Sequence, residues 1–495
     1  MKRYFLIPHL PFNPLSITLT ALFLLAILSL RGEVSLAADA PKPPNVVVIL
    51  TDDQGTLDAG CYGSKDLQTP AIDELAKRGV LFTQAYAHTV CCPARAMLLT
   101  GRHPQRSSIN SWTQRPYTPE PTGRNMFLSE VTLAEALKDA GYQTALFGKW
   151  HLGSAGTHGP TKQGFDEFFG IRGGFIDNYL HYHLHEAGLH DLYEKTEEQF
   201  KEGQYFPEMV LNRSTQFIEA NRDRPFFLYF ALNIPHYPEQ ALAQHTEEFA
   251  NLEMPRCSYA AVMATTDYYI GQLMNKLEEL HLREDTIVVY TSDNGYSREQ
   301  YTISVPDHAS GLPMGTNYGA NGGGGNTGPF RGSKGSFFEG GVRVPAIVSY
   351  PRSLPQGEVR HQAVTAMDWY PTILELAGIK SSKKVKFDGH SAVDIMKKNA
   401  ATQYKTMHWQ WGDAWAVRDG EWKLIVNGRL GSNGRGPDRF NNKMPKVFLG
   451  RLNDKEPEAK NYADSHPEIV ARLTKLHEAW LEEVTPKNDP WAHLY

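Results

Sequence analysis

Two pairs of polar residues each follow an apolar run, and together they could hold a hard metal ion. Asp52 and Asp53 come directly after the run 45–50, and Asp293 and Asn294 follow a later run of the same kind. Ligand sites in open α/β sheets form beyond the carboxyl ends of the strands. Three carboxylates and an amide oxygen suit Ca²⁺ or Mg²⁺ and suit zinc poorly. These four residues therefore predict a divalent-cation site, for Ca²⁺ or alternatively Mg²⁺.

A cysteine motif supplies a candidate nucleophile. Residues 91–101 read CCPARAMLLTG and fit the pattern C-x-P-x-R-x-x-x-L-T-G. Counting from Cys91 satisfies the Pro-x-Arg spacing, whereas counting from Cys92 breaks it. This pattern resembles the one that type I sulfatases of the alkaline phosphatase superfamily have around the cysteine that is oxidised to formylglycine. The resemblance implies that Cys91 is modified and that Arg95 contacts the sulfate group.

Three further segments resemble the same family. Residues 141–153, GYQTALFGKWHLG, are similar to its G-Y-x-T-x-x-x-G-K-W-H segment. Residues 331–345, RGSKGSFFEGGVRVP, are similar to R-G-x-K-G followed by E-G-G-x-R-V-P, and residues 233–238, NIPHYP, contain the family's Pro-His pair. The resemblance implies that these segments bring four more side chains into the active site, namely Lys149, His151, His236 and Lys334.

A sulfate ester is an anion that resists nucleophiles, so its oxygens need fixed positive charge. The resemblance implies that formylglycine hydrates to a diol, so that the Cys91 position supplies oxygen to the metal as well as to sulfur. It implies that Asp293 assists deprotonation of the attacking oxygen and that Lys334 or His236 protonates the leaving alcohol. His151 then removes a proton from the second hydroxyl, which releases sulfate and restores the aldehyde.

The segment 177–185 is unusually rich in imidazole and aromatic side chains. It is similar to the region in which sulfatases that act on sulfated sugars place substrate-binding groups. We therefore expect Asp177, His181 and His183 to bind substrate, with a solvated loop as the alternative. The expected substrate is a sulfated carbohydrate or an aryl sulfate.

The elements that position these residues alternate between strands and helices. Continuous apolar runs typical of strands buried on both faces occur at residues 45–50, 144–147, 226–232, 287–291 and 346–350. Helical patterns lie among them at residues 69–78, 132–140, 207–221, 259–280 and 368–377. This order predicts an α/β fold in which residues 43–380 form a large N-terminal sandwich, with a mostly parallel central sheet flanked by helices.

Composition changes after residue 380. Short strands are predicted at residues 406–411, 414–418 and 422–426, and an amphipathic helix at residues 466–484. Residues 381–495 are therefore expected to form a smaller α+β C-terminal domain with a short antiparallel sheet.

The N-terminal composition predicts export. Lys2 and Arg3 precede an apolar run at residues 17–30, followed by small residues, as in a secretory signal peptide spanning residues 1–37. The run is shorter than the roughly 20 residues that a membrane span needs, although an uncleaved anchor is the alternative. We expect a periplasmic or secreted protein without a stable membrane span. The net charge of −5 and the lack of a basic run give no indication of nucleic-acid binding.

The sequence therefore predicts an exported sulfuric-ester hydrolase, matured by a formylglycine-generating enzyme. One alternative is a phosphodiester or phosphonate hydrolase that uses the same formylglycine. Another is a secreted carbohydrate-binding protein with a catalytically inactive site. The presence of the expected residue at every catalytic position argues against this alternative. The chain has four cysteines, too few for a disulfide scaffold, and pairing of Cys61 with Cys257 is left open.

Overall fold

The computed structural model describes residues 42–113, 124–380, 385–432 and 444–488, together with 1, 4–6, 8 and 9. The predicted signal peptide, residues 1–37, lies almost wholly outside these residues, and so does the predicted domain boundary at 380/381, which adjoins the undescribed stretch 381–384. Pro43–Tyr495 form one compact unit. Across the described part of the chain, every helix is too short or too polar to cross a membrane.

The fold is built on an eleven-stranded, mostly parallel sheet, as the sequence predicts. Its strands lie in the order β12-β2-β11-β10-β1-β9-β3-β4-β7-β8, and β13 pairs with β2. The antiparallel pairs are those of β11 with its two neighbours and those of β7 with β4 and β8. The strands are β1 Asn45–Thr51, β2 Val80–Tyr86, β3 Gln143–Lys149, β4 Glu167–Ile171, β7 Tyr193–Glu194, β8 Glu197–Glu198, β9 Phe226–Ala231, β10 Thr286–Ser292, β11 Arg343–Ser349, β12 Glu358–Arg360 and β13 Val364–Thr365. A separate small hairpin joins β5 Tyr182–His183 to β6 Leu189–His190.

Helices cover both faces of this sheet, so its central strands are buried throughout. All seven residues of β1 are buried, with alternate side chains packing into different hydrophobic clusters. One cluster includes residues of the helices Cys91–Thr100, Leu133–Asp139, Trp369–Leu376 and Val393–Lys398. The other includes residues of Pro70–Lys77, Phe206–Ala220 and Arg256–Glu279, and the short helices Ala243–Glu248 and Glu339–Val342 complete this part of the chain. The predicted α/β sandwich is confirmed.

The C-terminal part contains the predicted short antiparallel sheet and helix. Its four strands, in this order across the sheet, are β14 Thr406–Trp411, β15 Ala414–Asp419, β16 Trp422–Val426 and β17 Val447–Arg451. The helix Pro467–Val484 packs Leu473 against Val417, Leu424 and Leu449. The strand β17 was not predicted. Cys61 and Cys257 are both free thiols, as are Cys91 and Cys92, so no disulfide joins the first two.

Candidate active site

Sheet topology gathers the candidate catalytic residues at one edge. Strands β10, β1, β9 and β3 are neighbours and run parallel, and Thr51 at the end of β1 pairs with Ser292 at the end of β10. Because the carboxyl ends of parallel strands meet at the same edge, the residues that follow them must also meet. The Cys91 helix follows β2, which is likewise parallel to β10, and Lys334 precedes the antiparallel strand β11. The edge thus receives residues from six strands.

The acidic residues at this edge form one buried group. The backbone N–H of Asp53 donates to Asp293 Oδ1 at 3.2 Å, and Asn294 Nδ2 donates to Asp53 Oδ1 at 2.6 Å. Asp52, Asp293 and Asn294 have no exposed surface, and Asp53 has 1%. Asp53 adopts φ +62°, a left-handed conformation that is uncommon for a residue with a side chain and recurs at functional sites.

This group fits a bound cation. Burial, together with the nearby charge of Asp293, raises the pKa of Asp52 and Asp53, so the ionised form of these two carboxyls is disfavoured. Asp52 Oδ1 and Asn294 Oδ1 are buried without a hydrogen-bond partner among the described residues. Ligand atoms of Asp52, Asp53, Cys91 and His236 lie within 4.8 Å of one another. The sequence did not predict that His236 lies this close to the acidic residues.

Cys91 is the first residue of the helix Cys91–Thr100 and points into the same buried space. Val90 before it is extended, and the helix ends at Gly101 in the left-handed conformation. Burial raises the pKa of the Cys91 thiol well above its usual value, so the unmodified thiol is neutral. The orphan N–H groups at the start of a helix favour negative charge, which suits a site for an anionic substrate.

Arg95 lies one helical turn after Cys91 and ties the helix to the acidic group. Its Nη2 lies 2.8 Å from Asp293 Oδ2 and 3.7 Å from Asp52 Oδ2. Its Nη1 donates to the carbonyl oxygen of Lys149 at 3.0 Å. Burial alone would raise the pKa of Asp293, but the positive charges of Arg95 and Lys149 have the larger effect, and the pKa of this carboxyl is lowered. Asp293 is therefore ionised.

Lys149 ends β3 and forms a fully buried ion pair, with Nζ 2.5 Å from Asp52 Oδ2. The preceding Gly148 makes this position possible. It has φ +118°, and a Cβ there would lie 1.9 Å from the carbonyl oxygen of Ala231 in β9. Glycine thus lets β3 approach β9 closely, which brings Lys149 to the end of β1.

Lys334 and His236 form a second buried pair. Lys334 Nζ lies 2.8 Å from Asp53 Oδ2 and 2.9 Å from His236 Nε2. His236 Nδ1 lies 2.6 Å from the carbonyl oxygen of Tyr237, so Nδ1 bears the hydrogen and Nε2 accepts from the ammonium. Burial and the charge of Lys334 lower the pKa of His236 well below its usual value. The imidazole is therefore neutral, and the proton of the pair is on Lys334.

His151 is a neutral, available base. It has φ +58°, is 2% exposed, and neither ring nitrogen has a hydrogen-bond partner among the described residues. Burial and the charges of Lys149 and Arg95 lower its pKa well below the usual value. Thr113 fixes the backbone here by donating its hydroxyl to the His151 carbonyl oxygen at 3.4 Å.

The three predicted substrate residues are placed differently from one another. Asp177 caps a turn by accepting from the N–H groups of Tyr179 and Leu180, and its other oxygen accepts from Gln240 Nε2 at 2.7 Å. His181 is fully buried with Nε2 2.9 Å from the carbonyl oxygen of Gln204. These contacts hold the segment in place, within its own turn and against residues 204 and 240. His183 instead lies beside the active site.

The link between His183 and the site is an aromatic ring that the sequence analysis missed. Phe175 stacks on His236 with ring centroids 5.3 Å apart, and its centroid lies 4.6 Å from that of His183. Glu299 was missed as well, although its Oε2 lies 3.4 Å from Lys334 Nζ. Neither residue lies in a recognisable motif. An acidic residue five positions after Asn294 was the available signal for Glu299.

Comparisons with known proteins agree with this geometry. The Sulfatase family model matches residues 44–379. The N-acetylgalactosamine-6-sulfatase of Rattus norvegicus is 31% identical over 500 residues, covering 94% of this chain and 90% of its own length. That of Homo sapiens is 31% identical and covers 91% and 88%. The structure of Ps i-CgsB in complex with k-i-k-neocarrahexaose is 27% identical, with a TM-score of 0.73, and covers 89% of this chain and 93% of that one.

Proteins of this family generally use a divalent metal and a formylglycine, and the buried Asp, Cys and His group is compatible with the metal. The fold, the gathered motifs and the family match point to one kind of chemistry. The chain belongs to the sulfatase family of the alkaline phosphatase superfamily and is a sulfuric-ester hydrolase.

Proposed function

We propose that this enzyme releases sulfate from a sulfated carbohydrate, using a formylglycine made from Cys91 and a bound Ca²⁺. The observation that supports it most strongly is the convergence of the Cys91 helix terminus with the acidic group at the strand ends. Oxygen ligands favour Ca²⁺, with Mg²⁺ as the alternative.

Asp52, Asp53, Asp293 and Asn294 would hold the cation beside the modified Cys91. When bound, the cation supplies Lewis-acid stabilisation of negative charge, and the hydrated formylglycine supplies an oxygen nucleophile. Three carboxylates of the site face three fixed cations, Arg95, Lys149 and Lys334. With a divalent cation the site has a positive balance, which suits a sulfate ester.

The chain's own residues divide the remaining work. Lys149 and Arg95 present fixed positive charge next to the Cys91 position, where they orient an anionic substrate. Lys334 holds a proton next to neutral His236, and we assign it the role of acid toward the leaving alcohol oxygen. His151, whose ring nitrogens have no hydrogen-bond partner among the described residues, is the base that would accept the proton of the remaining hydroxyl at the modified Cys91, so that sulfate could leave.

The names of two similar proteins support a carbohydrate substrate. The relative from Rattus norvegicus is named for N-acetylgalactosamine 6-sulfate, and Ps i-CgsB was solved with a neocarrahexaose. In this chain, Phe175 stacks on His236 and also contacts His183, and a sugar ring attached to the sulfate could contact this aromatic group. We keep His183 as a proposed substrate residue, and Asp177 and His181 as residues that shape the loop.

Maturation and location complete the proposal. Oxidation of Cys91 requires a formylglycine-generating enzyme, which must act before Cys91 is buried, because the folded thiol is 1% exposed. Residues 1–37 are proposed to direct export to the periplasm or outside the cell. Residues 43–380 and 381–495 are proposed as the catalytic and C-terminal domains.

The test is a comparison of substrates. Purified, modified enzyme is incubated with sulfated mono- and oligosaccharides, and released sulfate is measured beside turnover of an aryl sulfate and an aryl phosphodiester. We expect the sulfate esters to be hydrolysed much faster than the phosphodiester. Preference for the phosphodiester would favour the alternative, a phosphonate or phosphodiester hydrolase. The same fold occurs in the phosphonate monoester hydrolase of Silicibacter pomeroyi, which is 17% identical with a TM-score of 0.61. Absence of any turnover with intact formylglycine would favour the binding protein.

A further inference from the structure

Glu299 is a buried carboxylate that the chemistry described above does not use. It is 3% exposed, and its oxygens accept hydrogen bonds from four hydroxyl groups. Oε2 accepts from Tyr237 at 3.0 Å and Ser297 at 3.3 Å, and Oε1 accepts from Tyr301 at 3.1 Å and Ser432 at 2.8 Å. Such a carboxylate is fixed in both position and charge, because hydrogen bonds to the charged form favour ionisation.

Glu299 is the third polar partner of Lys334. A lysine ammonium has three N–H bonds, and Lys334 Nζ has three polar neighbours. They are Asp53 Oδ2 at 2.8 Å, His236 Nε2 at 2.9 Å and Glu299 Oε2 at 3.4 Å. In the proposed function Asp53 binds the cation, so the N–H that faces Asp53 would be the one that donates to the leaving oxygen. His236 and Glu299 would then hold the other two N–H bonds, and Glu299 is the charged partner of the two.

The C-terminal part of the chain fixes the same pair. Besides its hydroxyl bond to Glu299, Ser432 donates its backbone N–H to the carbonyl oxygen of Lys334 at 2.9 Å. The N–H of Ser333 donates to the carbonyl oxygen of Leu430 at 3.1 Å. Residues 430–432 therefore hold both the backbone of Lys334 and the carboxylate beside its ammonium.

We propose that Glu299 is a positioning residue that holds the Lys334 ammonium at the leaving-group oxygen, and that Ser432 fixes Glu299 from the C-terminal part of the chain. This inference rests on the proposed function, in which Lys334 is the acid. It adds a requirement: residues outside the matched 44–379 region complete the catalytic site.

The role is distinguishable from a structural one by leaving-group dependence. A general acid matters most when the departing alcohol is weakly acidic and matters little for a nitrophenol, which leaves readily as its anion. Misplacing the acid should therefore slow poor substrates selectively. A general loosening of the fold should slow all substrates alike.

The experiment compares Glu299→Gln with the wild type on 4-nitrophenyl sulfate and on unsubstituted phenyl sulfate, with formylglycine content and melting temperature measured for each protein. Because a positioned general acid contributes about 10²- to 10⁴-fold, we expect kcat/KM to fall about 10- to 100-fold on phenyl sulfate and less than about threefold on 4-nitrophenyl sulfate. Equal losses on both, or none on either, would overturn the proposal. A wild type that releases sulfate neither from these esters nor from the sulfated mono- and oligosaccharides would instead count against the proposed function.

Three further variants keep the result decisive. Glu299→Asp retains the charge on a shorter side chain and should recover part of the lost activity on phenyl sulfate. Ser432→Ala removes one hydrogen bond to Glu299 and should lower kcat/KM about 2- to 10-fold on phenyl sulfate alone, the size of one net hydrogen bond.

If Glu299→Gln fails to fold, an unchanged ratio of kcat/KM between the two substrates in Ser432→Ala overturns the proposal. Glu130→Gln, which alters a buried carboxylate paired with Arg102, is the control and should lower both rates equally or not at all.

Discussion

Arg95 donates two hydrogen bonds to a single carboxylate oxygen of Asp293. The Nε and Nη2 atoms of Arg95 lie 3.1 and 2.8 Å from Asp293 Oδ2. The other oxygen, Oδ1, is left facing the backbone N–H of Asp53. Arg95 is on the helix that begins at Cys91, and Asp293 follows β10. The pair therefore locks the start of that helix against the strand ends, and this explains why the cysteine and arginine of the motif must be four residues apart.

The nucleophile can be tested with the two adjacent cysteines. Cys91→Ala should abolish turnover, because Cys91 Sγ lies within 4.8 Å of ligand atoms of Asp52, Asp53 and His236. Cys92→Ala should retain most of it, since Cys92 is a buried thiol that accepts from the N–H of Thr113 at 3.4 Å. Peptide mass spectrometry should find the aldehyde at position 91. Fully active enzyme with unmodified Cys91, or the opposite ranking of the two variants, would contradict the assignment.

The strand ends were predictable from sequence because β1, β9 and β10 are apolar runs buried on both faces, followed at once by polar residues. Other elements gave no such signal. All ten residues of Cys91–Thr100 are buried, so the helix has no polar face and no 3.6-residue periodicity to read. The turn that Asp177 caps and the buried contact of His181 with Gln204 were likewise not readable from the sequence. Glu299 meets Lys334 only through the tertiary fold, which a sequence motif does not encode.

The metal group can be tested by removing one carboxylate. Asp53→Ala eliminates a carboxylate whose Oδ1 accepts from Asn294 and whose Oδ2 accepts from Lys334, so it should weaken cation binding and lower activity by orders of magnitude. The measurement is metal content after dialysis against Ca²⁺, set beside sulfate release. Asp223→Ala, at an exposed surface position, is the matched control and should bind as much metal as the wild type. Full occupancy with normal activity in Asp53→Ala would remove this residue from the site.

The loop 177–185 should separate into a substrate residue and a structural one. His183→Ala should lower kcat/KM on a sulfated sugar far more than on a small aryl sulfate, because a site that pairs with sugar hydroxyls gains little from a substrate without them. His181→Ala should lower the melting temperature and affect both substrates equally, because it removes the buried contact with Gln204. The reverse pattern would make His181 the substrate residue. If neither variant changes either rate, the loop has no role in binding.

Acid should destabilise the C-terminal part through a cluster of one buried and two half-buried imidazoles, His477, His408 and His103. His477 stacks on Trp415 with centroids 4.2 Å apart, and burial lowers its pKa to about 4. Burial similarly lowers the pKa of His408 to about 3 and that of His103 to about 4. Below pH 6.5 the unfolded chain takes up protons on these rings while the folded protein does not, so stability is complete above pH 6.5 and is lost as pH falls toward 4.

The variant His477→Phe isolates one of these rings, because phenylalanine preserves the stacking but cannot be protonated. Between pH 6.5 and 4 the free energy of unfolding of the wild type should fall with a slope that is steeper than that of the variant by up to about 1.4 kcal/mol per pH unit. Denaturant titrations at several pH values measure the two slopes. Parallel slopes for the wild type and His477→Phe would mean that His477 is protonated equally in the folded and unfolded states, and that the acid sensitivity has another source.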